Sequence, residues 1–263
     1  MSAPVFISPD AATATPGARL LLTGDEARHA VAAQRRTVGE VIDVVDGAGA
    51  RARGPIVSIG PDGVEVLVDA VSRDADRPIT LVQALAKGGR DEDAIEAATE
   101  LGVTRIVPWS SERAIVQWRG DKRERGRDRW SAVVTAAAKV ARRAVVPAVD
   151  PLVETPGLAV LVRQAISLGD RVVVLHEEAG LGFSSLEWPK ETRPGGAATW
   201  LIVGPEGGIG EAELATLTAA GAVAARLGPH VLRASTAGPA AIAALAALSG
   251  DWEAPAGAGA PVR

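Results

Sequence analysis

Cysteine is absent from the 263 residues, and histidine occurs three times. The first absence removes disulfide and thiolate chemistry, and three scattered histidines leave no basis for a protein-bound zinc site, so no metal is expected. No apolar run reaches the roughly 18 residues of a membrane-crossing helix. "MSAPVFISPD" at the N-terminus also lacks the basic region and apolar core of an export signal. A cytoplasmic protein with no membrane attachment is the expectation. Large positive charge is missing too: the formal net charge is -4, which argues against indiscriminate nucleic-acid binding.

Several nucleotide and hydrolase signatures are missing as well. The glycines of "GPEGGIGEAEL" follow a late apolar strand, and Glu213 stands where a dinucleotide fingerprint needs its third glycine. No lysine precedes Ser or Thr in a phosphate loop of the Walker type. "GFSSL" lacks the closing glycine of a nucleophile elbow.

What is present is the composition of a folded protein, 47% hydrophobic and 23% charged. The first seventy or so residues read as short strands and turns around one helix, "DEARHAVAAQRR", a pattern that suggests a small β-barrel. "SRDADRP" (72–78) reads as a linker. Beyond it strand and helix alternate, which implies an α/β domain with a mostly parallel sheet. "APAGAGAPVR" is expected to be a floppy tail. Between Asp121 and Arg143 eight basic residues face three acidic ones, a local balance of +5 that marks either an anion-facing strip or a solvated helix face.

Three late strands end in candidate binding loops: "VVVLHEEAG", "LIVGPEGGIG" and "RLGPHVLRAST". Ligands of open α/β sheets bind beyond the carboxyl ends of strands, so the three loops can share a pocket. Gly204, Gly207 and Gly208 allow close backbone approach, while Pro205 and Pro229 stiffen the turns. Backbone groups clamped by Leu175, Leu227 and Leu232 suit adenine better than a triphosphate. The alternative is that "GPEGG" is only a strand-to-helix turn, with Glu211 and Glu213 favouring the helix start. Likewise "LGPHVLR" can be a mere chain break before the last helix.

"GPEGGIGEAEL" followed by "LGPHVLRASTAGPAAIAAL" resembles the signature pair of the SPOUT methyltransferases, specifically the RsmE-type enzymes that methylate uridine N3 in 16S ribosomal RNA. "ALAKGGRDEDAIEAATELGV", "ERAIVQW", "RWSAVVTAAAKVARRAVVP" and "GDEARHAVAAQRRTVGE" match the same family, so the resemblance covers residues from about 4 to 250. The chain departs from the family pattern at Ala33–Gln34, Ala97, Val140 and Ser235.

The resemblance implies a PUA-like β-barrel for RNA binding over 1–73 and a SPOUT α/β domain over 74–250, with a deep trefoil knot at about 171–240 and a flexible tail over 251–263. It also implies a homodimer that uses S-adenosylmethionine on 16S rRNA or the small ribosomal subunit. The cofactor would be held by Leu175, His176, Val203, Gly204, Pro205, Glu206, Gly207, Leu227, Gly228, Leu232, Arg233 and Thr236. Arg233 is the candidate for stabilising charge on the uracil, or else a solvated or phosphate-binding arginine. Glu206 can accept the N3 proton, balance the sulfonium, or be a turn carboxylate bonded to backbone N–H groups. His176 is either a base or a packed strand-end side chain. Arg28, Arg35, Arg36, Lys87, Arg90, Arg142 and Arg143 are candidate RNA phosphate ligands, and Trp118 or Trp130 can stack on a base. Alternatives are another SPOUT RNA methyltransferase, acting on ribose 2'-O or tRNA guanine, and a non-catalytic RNA-binding ribosome-assembly factor.

Overall fold

The computed structural model describes residues 3–188 and 196–252. The chain forms two compact units: one ends at Asp76 and takes in Ser131–Ala148, the other comprises Arg77–Trp130 and the chain from Val149 onward.

The first unit contains β1 (Val5–Ile7), β2 (Arg19–Leu22), α1 (Gly24–Arg28), β3 (Val41–Val45), β4 (Ala50–Gly60), β5 (Gly63–Leu67) and β6 (Ala70–Arg73). Its strands run in the order β1-β3-β4-β5-β2, with β6 pairing β4. The path has two ends, and among the described residues no pairing joins β1 to β2. β4 serves both halves: its first part pairs β3 and β6, and its last part pairs β5 beyond a register shift between Ile56 and Ser58. Alternate residues of each strand, such as Ile42 and Val44 or Val64 and Val66, meet Phe6, Leu20 and Leu22 in one core. Asp43, on the opposite face of β3, is also buried, and there it binds Arg51 (Nη1 to Oδ2, 2.7 Å) and Arg53 (Nε to Oδ1, 2.7 Å) of β4. The expected single helix at 25–36 is instead α1 continued by one π turn, His29–Ala33.

The second unit is a parallel sheet of β7 (Ile79–Ala84), β8 (Arg105–Ser110), β10 (Val153–Glu154), β11 (Arg171–Leu175), β12 (Thr199–Val203) and β13 (Val223–Ala225), ordered β10-β8-β7-β12-β11-β13; β9 is the short Ala148–Val149 strand. Its helices are α2 (Arg90–Glu100), α4 (Thr155–Ser167), α5 (Glu211–Ala219) and α6 (Ala234–Ser249); α3 (Lys122–Val140) passes from this unit into the first. β7 and β12 are buried at every position, as strands covered on both faces must be. Val82, Val172, Val174 and Ile202 pack on α4 and α5. Leu81 and Val203 point the other way, against Gly238 of α6, where an added Cβ would lie 3.0 Å from Leu81 Cδ1.

The segment 72–78, expected as a linker, is tied down: Asp74 binds Arg51 (2.6 Å), Asp76 binds Arg143 (2.7 Å), and Arg77 binds Asp251 (2.8 Å). Asp251 belongs to the expected tail; residues 253–263 of that tail lie outside the described residues. Among the described residues no helix is long and apolar enough to cross a membrane.

Candidate active site

Because β11, β12 and β7 are neighbours in a parallel sheet, the loops at their carboxyl ends come together. The loop after β12 is a tight turn in which Gly208 N–H donates to Pro205 C=O (2.9 Å), and Gly208 takes the left-handed φ of +71° that favours glycine. Gly204 is required for closeness rather than for φ: a Cβ there would sit 2.6 Å from Ile209 Cγ1. The loop after β11 runs beside the end of β13, with His176 N–H on Ala225 C=O (3.0 Å), Arg226 N–H on Leu181 C=O (2.8 Å) and Phe183 N–H on Arg226 C=O (2.9 Å). From there the chain passes to α6, which packs on β7, β12 and α2.

These loops enclose a cleft of about 310 Å³, within the roughly 300–1,000 Å³ of small-molecule sites. Leu175, Val203, Gly204, Pro205, Glu206, Leu232 and Arg233 line it, as the sequence suggested for a common pocket. His176 and Leu227 line an adjoining recess with Leu175 and Leu232. Gly207, Gly228 and Thr236 stand outside both linings. Gly207 C=O accepts from Arg113 Nη1 (3.1 Å), Gly228 turns the chain at φ +77°, and Thr236 N–H caps Arg233 C=O (2.8 Å). Lining residues that sequence reasoning missed are Glu177, Ile209, Val231, Ala234 and Ala237. All five lie in the three quoted stretches, or within four residues of a chosen position, so proximity in sequence was their available signal.

Charge in the cleft is balanced, with Arg90 and Arg233 against Glu177 and Glu206. Glu206 Oε1 accepts from Lys87 N–H (3.1 Å) and Arg90 Nη1 (3.0 Å). Partial burial pushes its carboxyl up, but its own N–H, the Arg90 guanidinium and the Lys87 N–H together outweigh that and hold it below the ordinary value of 4.5. A carboxylate so stabilised is a weak proton acceptor and a good fixed negative charge. Two of the candidate RNA ligands, Lys87 through its backbone and Arg90 through its side chain, are thereby joined to the cleft. His176 Nδ1 accepts from Glu178 N–H (3.2 Å), which orients the ring within its own loop.

Glu213, the residue in place of a third glycine, is buried and binds Thr155 Oγ1 (2.5 Å) and Glu112 N–H (3.0 Å). It therefore fastens the start of α5, and with it the glycine loop, to the segment that carries Arg113. Only the break in the glycine pattern signalled it.

The other candidate phosphate ligands lie in the first unit. Arg28 pairs with Asp25, Arg36 with Glu40 (3.0 Å), and Arg143, a side chain 9% exposed, with Asp76. Arg35 and Arg142 have left-handed backbones, φ 54° and 57°. In the basic strip, Arg123 binds Glu154 (2.8 Å) and Arg129 binds Glu92 (2.6 Å), so part of its charge is spent within the chain. Trp130 is buried edge-to-face against Trp118 (5.2 Å), whose ring lies over Gly126.

Residues 73–246 match the family model described as an RNA methyltransferase domain. A ribosomal RNA small subunit methyltransferase E of Mycobacterium bovis is 41% identical over 90% of this chain and 90% of its own. That of Bacillus subtilis is 30% identical over 88% and 90%. A crystal structure of a ribosomal RNA small subunit methyltransferase E from Neisseria gonorrhoeae bound to S-adenosyl methionine superposes with a TM-score of 0.80, at 27% identity, covering 94% of this chain and 98% of that one. The cleft just described falls inside the matched region, and the chain belongs to the RNA methyltransferase family, among the RsmE-type enzymes named ribosomal RNA small subunit methyltransferase E.

Proposed function

We propose that this protein uses S-adenosylmethionine to methylate uridine N3 in 16S rRNA of the small ribosomal subunit. The observation that carries the reading is the cleft at the ends of β11 and β12: a pocket of mixed apolar and polar lining with balanced charge, inside a chain 41% identical to a named rRNA methyltransferase. The donor fits these residues. Val203, Ile209 and Leu232 give an apolar seat for adenine, Gly204 and Gly208 keep side chains out of it, and two carboxylates face two guanidinium groups, as suits a ligand carrying both signs of charge. When bound, S-adenosylmethionine supplies a methyl carbon activated by the sulfonium sulfur.

The chain's own contribution is alignment, exclusion of water and placement of charge. Arg233 stands at the cleft rim as the residue that caps the start of α6. Loss of the N3 proton to solvent water spreads negative charge onto the flanking uracil oxygens, and a guanidinium beside them stabilises it. Glu206, kept ionised by Arg90 and the Lys87 N–H, faces the cleft as counter-charge to a sulfonium rather than as the proton acceptor. His176 and Leu227, in the adjoining recess, would bound the donor's far end.

The finer architecture follows the same reading. We take residues 1–73 as a PUA-like RNA-binding barrel, to whose unit Ser131–Ala148 also belongs, and the rest of 74–250 as the methyltransferase domain. The two-sided use of β4 and the shared core support the barrel. A trefoil knot at about 171–240 is supported by the loop after β11 lying along Ala225 and Arg226 before the chain enters α6. A cytoplasmic location and a homodimer are part of the proposal, the dimer supported by exposed Val231 on the cleft lining and exposed Ile115.

Mass spectrometry of 16S rRNA from a deletion strain, before and after treatment with the purified protein, tests the activity; no gain of a methyl group on uridine N3 overturns it. Arg233→Ala is expected to slow single-turnover methylation by on the order of 10²–10³-fold, far more than it weakens donor affinity. A normal rate removes Arg233 from its role.

A further inference from the structure

A second cleft, of about 470 Å³, lies wholly within the first unit beside the π turn. Its walls combine two chemistries. Ala136 and Val140 are apolar and exposed, Val140 to 75% at the end of α3. Arg36, Lys139 and Arg142 are cationic, and no carboxylate is among the lining residues. Glu40 and Glu26 hold Arg36 (3.0 Å) and Lys139 (2.8 Å) in place from outside that lining. Arg36 Nε also donates to Gln34 Oε1 (3.2 Å), and Gln34 Nε2 bonds His29 Nε2 (2.9 Å), so one wall is a fixed chain of polar groups. Both pairs are part-buried, so the two cations are held in place at the cleft wall, where a phosphate oxygen can join the carboxylate as a second acceptor.

Backbone geometry singles out the same place. Among the described residues, Arg35 and Arg142 are the non-glycine residues with left-handed φ, and one follows Gln34 while the other lines the cleft. Such conformations are unfavourable for arginine and persist where the surroundings impose them, commonly at binding sites. The π turn is a second irregularity of that type.

We propose that this cleft holds one unstacked nucleotide of a single-stranded RNA segment, the base against Ala136 and Val140 and the phosphate among Arg36, Lys139 and Arg142. A flat apolar group joined to an anion satisfies both walls, and a paired base inside a duplex offers neither face. The inference rests on the RNA-methylating reading above and adds to it a recognition site that is separate from the methyl-transfer cleft.

Fluorescence anisotropy with a short fluorescein-labelled single-stranded oligouridylate, over a salt series, tests it. Val140→Glu is expected to weaken binding by roughly tenfold, and Arg36→Ala to shallow the salt slope by about 0.7. Leu168→Glu, which adds the same charge at an exposed apolar residue of the second unit, should leave affinity unchanged. Thermal melts and a calorimetric titration with S-adenosylmethionine on the same samples identify any variant that has not folded, and the other variant then decides. Wild-type affinity and slope in both cleft variants overturns the proposal, as does an equal loss for a blunt RNA duplex. If the wild-type protein binds neither S-adenosylmethionine nor the oligonucleotide, the methyltransferase reading itself falls.

Discussion

Glu206 meets donors that lie 116 and 119 residues earlier in the chain, on Arg90 and Lys87. Its folded carboxyl is held below 4.5, so the link contributes stability above that value and loses it as pH falls through the lower, folded one. A carbon-13 NMR titration should give a Glu206 midpoint below 4.5; a midpoint above it means the carboxylate is not held by these donors. Gly204→Ala places a methyl 2.6 Å from Ile209 Cγ1, and Ile209 lines the cleft. Displacing it costs roughly 1–3 kcal/mol, so S-adenosylmethionine affinity measured by calorimetry should fall about tenfold or more. Glycines and prolines made the cleft loops legible in sequence, because they punctuate locally. The partnership of Glu206 with Arg90 was not legible, since only the sheet brings β7 and β12 side by side.

At the scale of elements, strand and helix alternation was readable from apolar runs, and the parallel sheet follows from it. Helix α3 shows where periodicity stops informing. Its first turns, Lys122–Arg129, are polar on every side, so the apolar pattern begins only at Trp130 although the helix starts at Lys122. What holds that polar end is Arg123 on Glu154 and Arg129 on Glu92, together with Trp118 lying over Gly126. Gly126→Ala should therefore destabilise the protein, by about 1–3 kcal/mol in denaturant unfolding, even though alanine is the better helix former. A Cβ at that position would be 2.5 Å from the Trp118 ring. A gain in stability would show that the ring yields freely. The π turn after α1 left no mark in the residue pattern, because its bonds run between backbone groups.

Over the molecule as a whole, Arg77 at the foot of the sheet and Asp251 beyond the last helix form a bidentate pair 174 residues apart, with Arg77's side chain 4% exposed. Removing one partner of a buried pair costs on the order of 3 kcal/mol, so Asp251→Ala should lower the denaturant midpoint without moving activity per folded molecule. An unchanged midpoint would show that Arg77 is satisfied without it. The RNA methyltransferase match ends at residue 246, five residues short of this carboxylate. Anyone excising the catalytic half for crystallisation or display by trimming to the recognised domain would keep every strand and discard the clasp; the cut belongs after Trp252.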